Sequence, residues 1–151
     1  MGAKWYDFVN TGYGPIDADH HDLSRLIDLF LAAINAGNDA EAASHGRAVV
    51  EKVGAHFAHE ESLMRAHAYP GYARHKEAHD LFAADAASYL QEVTDQGVTV
   101  AFRRWATGRL LTWFRFHIHA NDVGLGRFLT AAAAPAAGGG ASGSGGQRQP
   151  A

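Results

Sequence analysis

The chain has 151 residues, of which 47% are hydrophobic, and its formal net charge of −3 gives it no basic surface of the kind that binds nucleic acid. It contains no cysteine, so disulfides, zinc–thiolate sites and cysteine-bound iron–sulfur clusters are excluded, and any metal must be held by nitrogen and oxygen atoms. The amino-terminal residues lack a signal-peptide pattern and no apolar run reaches membrane-spanning length, so we expect a cytoplasmic protein with no membrane partner.

Residues 1–15 carry aromatic side chains among glycines, and we interpret them as an arm that packs against the rest of the protein without forming a long helix; these aromatics are Trp5, Tyr6, Phe8 and Tyr13. The first predicted helix runs from about Asp17 to Asn35, with Gly37 as its stop signal. Its core-facing stripe advances by threes and fours, as in a bundle helix, and contains His20, Leu23, Ile27, Phe30 and Ile34.

The second and third helices follow the same pattern. The second begins near Asn38 or Asp39, either of which can cap it, and ends near Ala68. Pro70 then starts a third helix, which stops at Gly97. The stripe of the second helix contains Val49, Val53, His56, Glu60 and Leu63, and that of the third contains Tyr72, His75, His79, Phe82, Ala86, Tyr89 and Val93.

The fourth helix is predicted from about Val98 through His117, with a looser pattern from Asn121 onward. Short connections between long amphipathic helices favour antiparallel neighbours, so we expect an all-α protein, an up-down-up-down antiparallel four-helix bundle with an amino-terminal arm. This domain is expected to span residues 1–130. Residues 131–151 are rich in Ala, Gly and Ser, and they are predicted to form a disordered carboxy-terminal tail.

Polar side chains interrupt the core-facing stripes of all four helices. Buried carboxylates and unpaired imidazoles cost several kcal/mol unless something coordinates them. We therefore interpret these side chains as metal ligands; they are His20, His56, Glu60, His75, His79, His117 and Asp122.

Spacing supports this interpretation. Residues four apart lie on one face of a helix, so His56 with Glu60, and His75 with His79, can each present two ligand atoms to one small volume. His117 and Asp122 are five apart, which on a regular helix separates them by roughly 140°. Both can face the same volume only if the helix is locally wound as a π-type bulge, and we predict such a bulge here.

The ligand set indicates two metal ions that share two bridging carboxylates, because it exceeds what one tetrahedral ion needs. Mixed imidazole and carboxylate ligation suits iron better than calcium or magnesium, and leaves zinc and manganese open.

Four sequence blocks together resemble the motifs of the hemerythrin family, in order: IDADHHDL, HFAHEESLM, YPGYARHKEAH and WFRFHIHAND. The resemblance covers about residues 5–129 and implies a four-helix bundle with an oxo- or hydroxo-bridged pair of iron ions. It implies that one iron is held by His75, His79 and His117 and the other by His20 and His56. Glu60 and Asp122 would bridge them.

The resemblance implies reversible dioxygen binding for storage, delivery or sensing, at the vacant position of the iron with two histidines. Within the family, the chain resembles the single-domain bacterial members, called bacteriohemerythrins. We expect a binding protein rather than an enzyme, because oxygen-activating di-iron bundles are richer in carboxylates. The alternative is an oxidoreductase acting on oxygen, peroxide or nitric oxide. No protein partner is indicated.

The chain also departs from the family. Asp19 stands where Gln is usual, and as a carboxylate it could orient a ligating imidazole. The adjacent His21 competes with His20 for the ligand role, but its helical position turns it toward solvent, and His119 should likewise point away. Glu61 is expected to be solvated or to lie just outside the ligands, and His45, His59 and His67 are expected at the surface.

Apolar residues near the ligands are expected to line a dry pocket around the metal centre, or to pack within the bundle. The candidates for the pocket are Leu23, Phe57, Phe82, Trp113 and Phe116, and those for core packing are Trp105, Trp113, Phe114 and Phe116.

Overall fold

A computed structural model describes residues 10–134, and every regular element in that range is helical. Helix α1 spans Gly14–Ala36, α2 spans Asp39–Ala66 and α3 spans Tyr72–Gln96. A fourth rod, residues 100–133, consists of α4 (Val100–Arg104), a π-helical turn π1 (Trp105–Arg109), α5 (Leu110–His117), a second turn π2 (Ile118–Asp122) and α6 (Val123–Ala133). The expected antiparallel four-helix bundle is confirmed.

The helix ends follow from local chemistry. Helix α1 begins three residues before the predicted Asp17, because Pro15 occupies its first turn, where a missing N–H costs nothing. It ends at Gly37, whose φ of 70° is left-handed and favours glycine. Asn38 caps α2 by accepting a hydrogen bond from the Glu41 N–H, and Thr99 caps α4 in the same way through Phe102.

The apolar core is divided into two parts. The larger cluster contains residues such as Leu23, Val53, Phe82 and Phe114, and the smaller one is formed by Ile16, Met64, Leu125 and Leu129. On each of the four rods, the ligand-type residues lie near the boundary between the positions that feed these two clusters. The polar group therefore sits in the middle of the bundle, with apolar packing above and below it.

The segment before α1 crosses the fourth rod. Thr11 donates hydrogen bonds from its backbone N–H and its hydroxyl to Asp17, at 2.6 and 2.7 Å. Thr11 also packs so closely on Gly126 that a Cβ there would lie 2.7 Å from the Thr11 Cβ. The expected aromatics Trp5, Tyr6 and Phe8 lie outside the described residues, whereas Tyr13 packs against the smaller cluster.

Residues 135–151 also lie outside the described residues, so the predicted disorder of the tail stays a prediction. Helix α6 continues to Ala133, three residues past the predicted domain boundary at residue 130. Within residues 10–134, no helix has the length and apolar character that crossing a bilayer requires.

The contact at Gly126 can be tested with a pair of glycine variants. Gly126→Ala should destabilise the fold by about 1–3 kcal/mol, because the new methyl group meets the backbone and side chain of Thr11. Gly124→Ala, two residues earlier, meets only the Tyr69 hydroxyl at 3.4 Å and should be neutral or stabilise by up to about 1 kcal/mol. Urea unfolding followed by circular dichroism measures both, and equal stability of the two variants would contradict the packing.

Candidate metal centre

The structure brings all the ligand-type side chains together in the middle of the bundle, and none is more than 2% exposed. Each rod contributes at least one of them. Helix α1 supplies His20, α2 supplies His56 and Glu60, α3 supplies His75 and His79, and the fourth rod supplies His117 and Asp122.

One group of donors is formed by Glu60 and three histidines, His75, His79 and His117. The Nε2 atoms of His75 and His79 lie 3.3 and 3.1 Å from one Glu60 oxygen. The Nε2 atoms of His75 and His117 lie 3.1 Å apart. These three imidazoles therefore present ring nitrogens to one volume beside the Glu60 carboxylate.

The second group contains His20, His56, Glu60 and Asp122. The Nε2 atom of His20 lies 3.2 Å from Asp122 Oδ2, and that of His56 lies 3.7 Å from Glu60 Oε2. Asp122 also faces the first group, because its Oδ1 atom lies 3.0 Å from His75 and 3.1 Å from His117. Both carboxylates thus stand between a set of three histidines and a set of two.

The donor atoms fit bound cations. Two atoms that each lie ~2.1 Å from one metal ion, at right angles, are ~3.0 Å apart, close to the separations described above. Several of these atoms are also fully buried without a hydrogen-bond partner: Nε2 of His56 and His79, and both oxygens of Glu60 and Asp122. Buried polar atoms are normally satisfied, so this arrangement is suited to metal ions.

The charges of the site also favour bound metal ions. Burial raises the pKa of Glu60, but the adjacent imidazoles of His75 and His79 outweigh it and bring the pKa down to about 2. For Asp122 burial again acts upward, and contacts with the surrounding histidines hold its pKa well below the usual range. Burial lowers the pKa of His75, yet the two adjacent carboxylates raise it to about 9, whereas burial prevails at His117 and lowers its pKa. Both carboxylates are anionic, so the cavity attracts positive charge.

The turn π2 explains how His117 and Asp122 share the site. Within this turn the Val123 N–H bonds to the Ile118 carbonyl five residues back, instead of four. The wider winding brings residues five apart onto one face. The predicted bulge is therefore confirmed. The turn π1 was not predicted, and it gives the same wider winding to Trp105 and Ala106, both of which are buried.

Three polar side chains contact the outer nitrogens, Nδ1, of the central histidines. Glu61 lies 3.2 Å from His79, the Asn121 amide lies 3.3 Å from His117, and Asp19 lies 3.5 Å from His56. Glu61 thus lies just outside the ligands. Sequence reasoning did not single out Asn121, although its position four residues after His117 was a signal for this contact.

Asp19 is shared among several groups. Its Oδ2 atom is 2.6 Å from His59 Nδ1, closer than it is to His56, and its Oδ1 atom is 3.6 Å from the Lys52 amine. Hydrogen bonds with His56 and then His59 hold the pKa of Asp19 well below its usual range. The Asp19 carboxylate therefore links a buried imidazole to the surface.

Aromatic rings cover the group of three histidines. Phe57 stacks on His79 with centroids 3.8 Å apart, and Trp113 stacks on His117 at 4.4 Å. Phe82 stacks in turn on Trp113 at 4.1 Å. Leu23, Trp105 and Phe114 are buried as well.

Phe116 is the exception among these candidates. The prediction that it packs in the core or lines the pocket is wrong, because its side chain is 72% exposed. It lies on the outward face of α5, one residue before the ligand-type His117.

The remaining histidines lie away from the central group. His21, His67 and His119 are exposed, and His45 is half-buried. The side chain of His59 is 41% exposed and contacts Asp19 instead of the centre. The structure thus places His20, and not His21, beside Asp122.

The sequence is similar to those of known proteins. The family description of the hemerythrin HHE cation-binding domain matches residues 11–129. A bacteriohemerythrin from Pseudomonas paraeruginosa is 31% identical over 123 residues, which are 80% of this chain and 76% of that protein. The hemerythrin of Themiste dyscrita is 33% identical over 108 residues, or 72% of this chain and 84% of that protein.

The fold is also similar to a solved structure. A wild-type hemerythrin crystal structure superposes with a TM-score of 0.72 at 23% identity, covering 86% of this chain and 98% of the other. With the HHE domain matched along nearly the whole bundle, the chain belongs to the hemerythrin family.

Proposed function

We propose that this protein binds dioxygen reversibly at a pair of iron ions. The observation that carries the proposal is the pair of buried donor groups that share Glu60, together with carboxylate oxygens that have no hydrogen-bond partner. The proposal agrees with membership of the hemerythrin family.

Each residue has a role in this proposal. His75, His79 and His117 would hold one iron, His20 and His56 the other, and Glu60 and Asp122 would bridge them. When bound, the two ions supply an open coordination position and the electrons that reversible dioxygen binding requires. Two histidines face one side of the carboxylates and three face the other, so the open position would lie on the side of His20 and His56.

The protein's contribution is a rigid and dry surrounding. Leu23, Phe57 and Phe82 are at most 5% exposed and belong to the larger apolar cluster, and Phe57 stacks directly on His79. Such packing keeps water and anions from competing for the open position. Storage, delivery and sensing are all served by this chemistry.

An oxidoreductase acting on oxygen, peroxide or nitric oxide is the alternative. Five imidazoles with only two carboxylates favour a binding protein over an oxygen-activating enzyme, whose sites are built on glutamates. We therefore propose that the chain is not an enzyme. We also propose the cytoplasm as its location, and residues 1–130 as the metal-binding domain.

Iron content and oxygen response test the proposal together. The purified protein should hold about two iron ions per chain, as the two donor groups imply. The visible spectrum of the ferrous protein should change in air and return to its starting form under argon. Irreversible bleaching with continuous consumption of a reductant would instead support the oxidoreductase.

Single substitutions locate the iron. Replacing His79 or Glu60 by Ala should empty the centre, because each removes a donor that faces the shared volume. His21→Ala is the matched control: this side chain is exposed, so iron content should be unchanged. Loss of iron from the His21 variant would contradict the placement of α1.

Metal removal should also lower stability. A ligand that binds only the folded state, at about 1,000 times its dissociation constant, adds about 4 kcal/mol. Chelation should therefore lower the melting temperature, and ferrous iron added without air should restore it. The Asp122→Ala variant should show little recovery, since it lacks a carboxylate that faces both groups. Equal melting temperatures with and without metal would contradict a structural role for the ions.

A further inference from the structure

The outer nitrogens of the central histidines have unequal surroundings. Each ring points Nε2 toward the middle of the site, so that Nδ1 is left on the outside. His79 has a carboxylate, Glu61, at this position, and His117 has the neutral amide of Asn121. The Nδ1 atom of His75 is buried and has no hydrogen-bond partner among the described residues.

Glu61 is held in place by two helices. It directly follows Glu60 on α2, and its turn of about 100° away from Glu60 points it toward α3 rather than into the centre. Its side chain is only 15% exposed. On the solvent side, Arg65 lies 3.8 Å from Glu61 and donates a hydrogen bond to the Tyr72 hydroxyl at 3.0 Å. The carboxylate thus lies between a buried imidazole and a surface guanidinium.

Asp19 has a different balance of contacts. Its shortest contact is 2.6 Å to the half-exposed His59, and the distance to His56 is 3.5 Å. Asp19 also forms an ion pair with Lys52. Glu61, in contrast, has the ring nitrogen of His79 as its nearest charged or hydrogen-bonding partner, at 3.2 Å.

The ring plane of His79 is already defined without Glu61. Phe57 stacks on it with centroids 3.8 Å apart and planes 7° from parallel. Glu61 therefore adds something other than ring orientation. An acceptor at Nδ1 selects the tautomer that carries its proton there, which leaves a lone pair on Nε2 for a metal ion.

We propose that Glu61 is a positioning residue for the metal centre: its carboxylate accepts a hydrogen bond from Nδ1–H of His79 and makes Nε2 a stronger metal donor. The inference rests on the proposed function, since it requires a metal ion at the group formed with Glu60, His75 and His117. It concerns donor strength, so it applies to any divalent ion that this group accepts.

Cobalt(II) binding to the metal-free full-length protein measures donor strength directly, by the visible absorption of the bound ion. Glu61→Ala should weaken cobalt binding at the three-histidine group by about 10- to 100-fold, as loss of a carboxylate that supports a ligating histidine does elsewhere. Glu61→Gln should fall between this variant and the original protein, because an amide oxygen still accepts the hydrogen bond but carries no charge. It also keeps the shape of the side chain if Glu61→Ala folds poorly.

Asp80→Asn is the matched control. Asp80 follows His79 directly, but its side chain is 63% exposed and binds Lys76 on the surface. Like Glu61→Gln, this substitution removes one negative charge near His79. It does not remove a contact with the His79 imidazole. Cobalt affinity should therefore stay at its original value.

A second readout separates positioning from general loosening of the fold. In the cobalt-loaded protein, Nδ1–H protons of ligating histidines give strongly shifted NMR signals that exchange with water. In Glu61→Ala, the His79 signal alone should exchange faster, while the signals of the other ligands keep their rates.

The outcomes distinguish the two proposals. If the original protein binds no cobalt at the central histidines, both the metal centre and the role of Glu61 are overturned. If it binds cobalt, and both Glu61 variants match it in affinity and in proton exchange, only the role of Glu61 is overturned.

Discussion

The burial of two carboxylates and five imidazoles in the middle of a helical bundle is the constraint on which the rest of the structure depends. These side chains are at most 2% exposed, and several of their polar atoms have no hydrogen-bond partner. A single buried charge without a counter-charge costs several kcal/mol, so bound cations stabilise such an arrangement. In a member of the hemerythrin family, a pair of iron ions meets this requirement.

The bundle is built around this polar layer. Each rod carries its ligand-type residues near the boundary between two separate apolar clusters, so packing above and below the layer positions the donors along the bundle axis. The turn π2 brings Asp122 onto the face of His117, and stacked Phe57 and Trp113 hold two of the imidazoles. Outside the rings, Glu61, Asp19 and Asn121 contact Nδ1 atoms. The donor side chains are thus held by stacked aromatic rings and by polar side chains that contact their outer nitrogens.

Much of this arrangement could be predicted from sequence, because spacing on a helix determines which side chains share a face. The five-residue gap between His117 and Asp122 was enough to predict a wider turn, since both residues had to face the core. The turn at Trp105–Arg109 carried no such signal, because apolar residues tolerate a shift of register without an unpaired charge. Phe116 was misplaced for a related reason: hydrophobicity alone does not separate the core face from an exposed aromatic. Contacts such as Arg65 with Tyr72 depend on how α2 and α3 approach each other, which one sequence does not reveal.

Whether two iron ions occupy the middle of the bundle can be measured by anomalous X-ray scattering at the iron absorption edge, on crystals of the protein loaded with ferrous iron. We expect two peaks per chain, both between the Glu60 and Asp122 carboxylates, one beside His75, His79 and His117 and the other beside His20 and His56. A single peak would contradict the presence of two iron ions in the centre. Iron bound at surface histidines, with none among the central donors, would contradict it as well.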